Sequence, residues 1–148
     1  MKLILTTLSL LTLAAAGQAI ELVSASHRDA DSFKRISEFF SGDENPGRYT
    51  LLRTDANSRD GFYLSLKLTK EERASIKSIR LHYVEPASLA EETLDLAING
   101  AAKSRILVGL TGSLWQSADT FPLAWKVEAL DANGQVLTHQ QSFLWSPK

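Results

Sequence analysis

The chain has no cysteine. No disulfide can staple the fold, and no thiolate can attack a substrate or hold a metal, so packing must carry the structure. Its one methionine is the initiator Met1, which removes thioether ligation of copper from the mature protein. Neither sign of charge is in excess: 16 Lys and Arg stand against 17 Asp and Glu, for a net charge of −1. That balance gives no electrostatic case for binding nucleic acid or an anionic membrane surface. No apolar run reaches the roughly 20 residues that span a bilayer. Strands alternating with long helical patterns are also missing, which argues against doubly wound and barrel α/β folds. No G-x-S-x-G occurs, so there is no nucleophile elbow.

What is present begins with a leader. Lys2 is a short positive region, Leu3 to Leu13 is apolar apart from Thr and Ser, and Gly17 and Ala19 are small residues at −3 and −1 of a cleavage site. This is the pattern of a secretory signal peptide over residues 1–19. No cysteine follows it to take a lipid anchor. The expectation is an exported protein, periplasmic or secreted, with no membrane span in the mature chain. One domain is expected over residues 20–148. Loss of Lys2 takes the net charge from −1 to −2, because every acid lies after residue 19.

Most of the mature sequence has a period of two. FYLSLKL (62–68) places Phe62, Leu64, Leu66 and Leu68 on one face and Tyr63, Ser65 and Lys67 on the other, the pattern of a half-buried strand. IKSIRLHYV (76–84) alternates Ile79, Leu81 and Tyr83 with Ser78, Arg80 and His82. TLDLAI (93–98) alternates likewise and runs into Asn99-Gly100, a hairpin signal that makes SRILVGL (104–110) its expected partner. RYTLLRT (48–54) and ELVSA (21–25) read as further strands, the latter at an edge. One segment departs: DSFKRISEFFSG (31–42) spaces Phe33, Ile36, Phe39 and Phe40 at helical intervals, with Asp31 or Ser32 to cap it and Gly42 to end it. The expected fold is all-β: an antiparallel immunoglobulin-like sandwich of seven to eight strands with one short amphipathic helix near 32–41 covering one end of the sheets.

PLAWKVEALDANGQVLTHQQSFLW (122–145) reads as a closing hairpin. DANG fits a type I turn with Gly134 left-handed, which pairs Asp131 with Gln135. Strict register then puts Trp125 on one face with Leu123, Val127, Ala129, Leu137, Phe143 and Trp145, and sets His139 opposite Val127. The alternative register would turn Thr138, Gln140 and Ser142 inward, at about 1–3 kcal/mol for each unpaired polar group. Trp125 is therefore read as core.

RTDANSRDGFYLSLKL, ILVGLTGSLW and this last segment together resemble a group of small exported bacterial proteins without an assigned activity. The last segment is also similar to the closing hairpin of immunoglobulin-like and fibronectin-type-III-like domains. The resemblance covers most of residues 48–145. It implies architecture and transfers no functional residue; the cysteine pair of antibody-type domains is absent.

Candidate chemistry is sparse. His27, Asp29 and Asp31 of HRDAD would share a side if extended and could ligate a divalent ion; the competing reading is a solvated lead-in to a helix cap. DANSRDG (55–61) fails as a calcium loop, because Arg59 fills a ligand position and Leu66 stands where a bidentate Glu is required. Glu71-Glu72 and Glu91-Glu92 read as loop acids. No catalytic residue, metal site or cofactor is assigned. GLTGSLWQSADTF (109–121), rich in Gly and Ser, reads as a long loop between strands, and its Trp115 and Phe121 are the candidate binding residues. The competing reading has Trp115 folded back as a plug. The functional expectation is an exported, non-enzymatic binding or accessory module with a protein or glycan partner in the cell envelope. A carbohydrate-binding domain using loop aromatics is the alternative, with a small hydrolase behind it.

Overall fold

The computed structural model describes residues 19–115 and 117–145; the expected leader, apart from Ala19, lies outside them. The chain is mostly β. Strands β1 (Glu21–Arg28), β3 (Gly61–Lys67), β6 (Arg105–Thr111) and β2 (Tyr49–Arg53) form one sheet in the order β1-β3-β6-β2. Strands β5 (Glu91–Ala97), β4 (Ser78–Val84), β7 (Ala124–Leu130) and β8 (Val136–Gln141) form the other, in the order β5-β4-β7-β8. All pairings are antiparallel except that of β2 with β6, which is parallel.

The two sheets bury their alternating apolar faces in one core. Leu64, Leu66, Ile106 and Val108 come from the first sheet, and Ile79, Leu81, Trp125 and Val127 from the second. Trp125 is 6% exposed, a core residue as its pattern requires. Ile20 ties one edge of the sandwich together: its backbone N–H donates to the carbonyl of His139 in β8, the edge strand of the other sheet, and its side chain is buried.

Four expectations are corrected. Asn99-Gly100 does not make a hairpin: β5 pairs with β4, and β6 pairs with β3 and β2, so residues 98–104 carry the chain from one sheet to the other. A tight turn reverses the chain but does not choose the strand it next meets; Ile98, still bonded to the Lys77 carbonyl and buried, keeps to the sheet of β4 and β5 before the chain crosses.

β3 is buried on both faces. Tyr63 and Ser65 are buried like the apolar face, Tyr63 beneath Phe33 of segment 29–48, so this strand's alternation marks two interiors of different polarity.

The single helix over 32–41 is two pieces, a 3-10 turn at Ala30–Phe33 capped by the Asp29 side chain and helix α1 at Ile36–Ser41 ended by Gly42. A second helix, α2 at Lys70–Ser75, begins on a reciprocal cap between Thr69 and Glu72. The apolar side chains of α1 do not pack on the sheets: Ile36, Phe39 and Phe40 are 82%, 88% and 81% exposed.

The closing hairpin keeps its expected turn, with the Asp131 N–H on the Gln135 carbonyl and Gly134 at φ 76, but slips one residue beyond it. A bulge between Ala129 and Leu130 sets Thr138 opposite Ala129 and His139 opposite Glu128. Thr138 is buried, His139 is exposed and Phe143 is fully exposed. The inward polar groups find partners, which removes the cost that disfavoured this register: the Ser142 hydroxyl accepts from the Trp125 N–H at 3.0 Å. Trp145 packs against His82 on the outer face, ring centroids 5.8 Å apart.

Segment 29–48 is held on the outer face of the first sheet by charge and aromatic contacts. The Arg53 guanidinium bonds both Glu44 oxygens at 2.6 and 2.8 Å, and its Nε donates to the Tyr63 hydroxyl at 2.7 Å. Tyr63 donates in turn to the Arg59 carbonyl at 2.8 Å. Phe33 lies over both groups, 4.7 Å from the guanidinium carbon and 4.9 Å from the Tyr63 ring. Arg59 reaches Glu38 at 2.8 Å and so fixes α1.

Candidate functional site

β6 ends at Thr111, whose hydroxyl accepts from the Asp55 N–H and donates to the Asp55 carbonyl, while the Thr54 hydroxyl accepts from the Thr111 N–H and donates to the Thr111 carbonyl. The chain then leaves the sheet through Gly112 at φ 66 and a 3-10 turn at Gly112–Leu114. These restraints deliver Trp115 to the end of the sandwich. Its ring stacks on His27 (5.6 Å, 11°) and on Phe62 (6.3 Å, 25°), and Phe121 meets it edge-on (6.2 Å, 73°). Trp115 is thus half-buried against the core, whereas Phe121 is exposed.

Facing this loop is the turn that follows β4. Glu85 N–H bonds the Ala90 carbonyl, and Leu89, at φ 57, bonds the Glu85 carbonyl. A bulky residue in the left-handed region costs about 1–2 kcal/mol, and the leucine held there is exposed. Between turn and loop lies a cavity of about 290 Å³, lined mainly by Tyr83, Pro86, Leu110, Leu114, Trp115 and Pro122, with Ala87 at its side. Exposed Leu114 belongs to the cavity wall, and exposed Phe121 adjoins Trp115.

The polar groups of the cavity are few. Burial, then the charges of Glu92 and Glu85, hold the Tyr83 phenol above its usual range, so it presents a neutral hydroxyl. Glu85 is the one carboxylate among the described lining residues, and it accepts from the Ser88 hydroxyl at 2.7 Å. Thr120 adds a further hydroxyl, bonded to that of Ser117 at 2.7 Å. A concave surface with apolar walls and fixed polar groups is the form of a binding site. Its chemistry suits an apolar side chain entering beside a hydroxyl and a carboxylate.

The sequence brought forward the Trp115 side of this site and missed the Glu85–Ala90 side. Its signal was VEPASLAEE (84–92), where Pro and Ser end a strand, but nothing in that stretch names its partner across the gap. HRDAD disperses: His27 Nε2 bonds Asp60 at 2.5 Å, Asp29 caps the 3-10 turn and Asp31 pairs with Lys34. Among the described residues no group of three His, Asp or Glu is placed to hold a metal ion.

A second constellation escaped sequence reading. On the outer face of the second sheet His82 bonds the Thr93 hydroxyl through Nδ1 (3.0 Å) and Glu128 through Nε2 (3.2 Å), beside the bidentate pair of Arg80 with Asp95 (2.7 and 3.0 Å). Hydroxyl, imidazole and carboxylate stand in line, but on consecutive strands of a solvent-facing sheet. Cross-strand pairs of this kind stabilise a polar sheet face.

No protein-family model, curated protein or solved structure matches this chain.

Proposed function

We propose that this chain is an exported, non-enzymatic binding module with an immunoglobulin-like sandwich, whose partner inserts an apolar segment between the 85–90 turn and the 112–122 loop. Trp115 and Phe121 are its binding residues. The single observation that carries the reading is the cavity at the end of the sandwich, walled by Trp115 and exposed Leu114, with exposed Phe121 against the Trp115 ring. Exposed apolar groups gathered about a concavity are a surface that folding alone does not require.

Strand order supports the architecture. With β2 set aside, the other seven strands lie first-second-fifth in one sheet and fourth-third-sixth-seventh in the other. Lettered in chain order, that is A-B-E against C′-C-F-G, an order that supports the immunoglobulin-type reading. β2 is then an insertion between the first two strands. The glycan alternative has less support: Trp115 and Phe121 meet at 73° and give no flat platform on which a sugar ring could stack. The enzyme reading has only isolated carboxylates and the open His82 face to draw on.

Export is tested by N-terminal sequencing of protein from the periplasm or medium, expected to begin IELVS; retention in the cytoplasm with an intact leader would refute it. Binding is tested with labelled protein and cell-envelope extract. Trp115→Ala and Phe121→Ala should each weaken capture, by about 30-fold if either is a central anchor. Capture unchanged in both variants would remove the site.

A further inference from the structure

Helix α1 is inverted. Its Glu38 points inward to Arg59, while Ile36, Phe39 and Phe40 point to solvent. Asn45 strengthens the inward side, its amide donating to the Ser37 hydroxyl at 3.2 Å. The helix is therefore held by polar contacts and presents its apolar side chains at positions i, i+3 and i+4, the spacing with which a helix enters a groove. Phe39 and Phe40 meet edge to face at 5.5 Å and form one projecting knob.

The same chain carries a hole of matching scale, the cavity at Trp115, whose wall is part apolar and part polar. Both features lie toward one end of the molecule: Arg59, which fixes α1, precedes Gly61, and Gly61 pairs with Thr111, next to cavity residue Leu110. The knob is on the outer side of the first sheet and the hole opens between the sheets.

We propose that the occupant of the cavity is α1 of a second copy, the two copies exchanging knobs reciprocally in a two-fold dimer. This rests on the reading of the cavity as the binding site and names what fills it. One aromatic ring enters beside Trp115, and its neighbour packs on Leu114 and Phe121. Two such exchanges bury four phenylalanine rings and the walls that receive them, on the order of 1,000 Å² counting both partners, the low end for a specific interface. A contact between two different patches, made twice, satisfies two-fold closure.

The test is sedimentation velocity of the mature chain from about 1 µM to about 500 µM, a span that covers weak to moderate dimers. The wild type should pass from monomer to dimer. Phe39→Ser with Phe40→Ser should abolish the dimer without lowering the melting temperature, because both side chains are exposed. Ala87→Arg should abolish it from the other side. Because the chain has no cysteine, Ser41→Cys and Ala87→Cys proteins can be mixed and oxidised; cross-links between positions 41 and 87 should exceed those between 41 and 41. A monomer at every concentration, a dimer that survives loss of both phenylalanines, or a predominance of 41–41 cross-links would each overturn the proposal. A monomeric wild type whose envelope capture still falls with Trp115→Ala leaves the cavity as a site for another protein. Unchanged capture removes the site as well.

Discussion

The Tyr63 ring occupies the space that a side chain at Gly109 would need: a Cβ placed there would stand 2.4 Å from Cε1 and 2.8 Å from Cζ of the ring. The two residues are directly paired across β3 and β6. The ring cannot step aside freely, since its hydroxyl bonds Arg53 and Arg59 and its face meets Phe33. Gly109→Ala should therefore displace the buried Tyr63–Arg53 contact and destabilise the fold by about 1–3 kcal/mol, the cost of overpacking. Urea denaturation checks it; a variant as stable as the wild type would show that the ring has room.

Arg53 and Glu44 should give the protein an acid limb. Their side chains are 4% and 23% exposed. The hydrogen bond from Arg53, and then its charge and that of Arg59, hold the Glu44 carboxyl below its ordinary value of 4.5 against the opposing effect of burial. A group whose folded pKa is depressed contributes stability above its unfolded pKa and loses it as pH falls through the folded one. Stability should thus decline below the ordinary Glu range, and Glu44→Gln should flatten that decline. At neutral pH the same variant should cost about 3 kcal/mol, the low end for breaking a buried pair, because Glu44 keeps some contact with water. Urea unfolding of both proteins between neutral pH and about pH 3 measures it.

The slipped register of the closing hairpin makes opposite demands on neighbours. Thr138 is buried and His139 exposed. Thr138→Val should cost about 1 kcal/mol through its hydroxyl, and His139→Ala should stay within about 0.5 kcal/mol of the wild type. The unslipped register would reverse that order, so the pair of melts decides between them.

Trp115 and Trp125 should separate. Trp125→Ala should cost about 3–5 kcal/mol as a core aromatic. Trp115, half-buried beside the cavity, should lose less stability and more affinity. Equal melting losses would return Trp115 to the role of a plug.

How legible these features were depended on how local their causes are. Strand alternation at Ile79, Leu81 and Tyr83, the core place of Trp125 and the turn at Gly134 follow from neighbours in sequence, and each was readable. The capping box of Thr69 and Glu72 was equally local and simply passed over. Register was not local: a single bulge moved Thr138 inward and Phe143 out. The two-faced burial of β3 was hidden because its cover, segment 29–48, is fastened by ion pairs between residues 9 and 21 positions apart, Arg53 with Glu44 and Arg59 with Glu38. Helical spacing of Phe33, Ile36, Phe39 and Phe40 marked an amphipathic element correctly but could not say which face would meet the sheet; Glu38, with Arg59 to receive it, decided that. For the site, Trp115 stood out by chemistry, whereas the Glu85–Ala90 wall became visible only when two sheets brought strands β4 and β6 to the same end.

The outward face of α1 separates two pressures that usually act together on a sequence. At most apolar positions, selection for folding and selection for function cannot be told apart. Ile36, Phe39 and Phe40 bury little in this chain, so folding has almost no hold on them, and mutation should drift them toward polar residues wherever nothing else intervenes. Among chains descended from a common ancestor, large apolar residues kept at these three places would record an interaction that the organism uses, and their loss would date its abandonment.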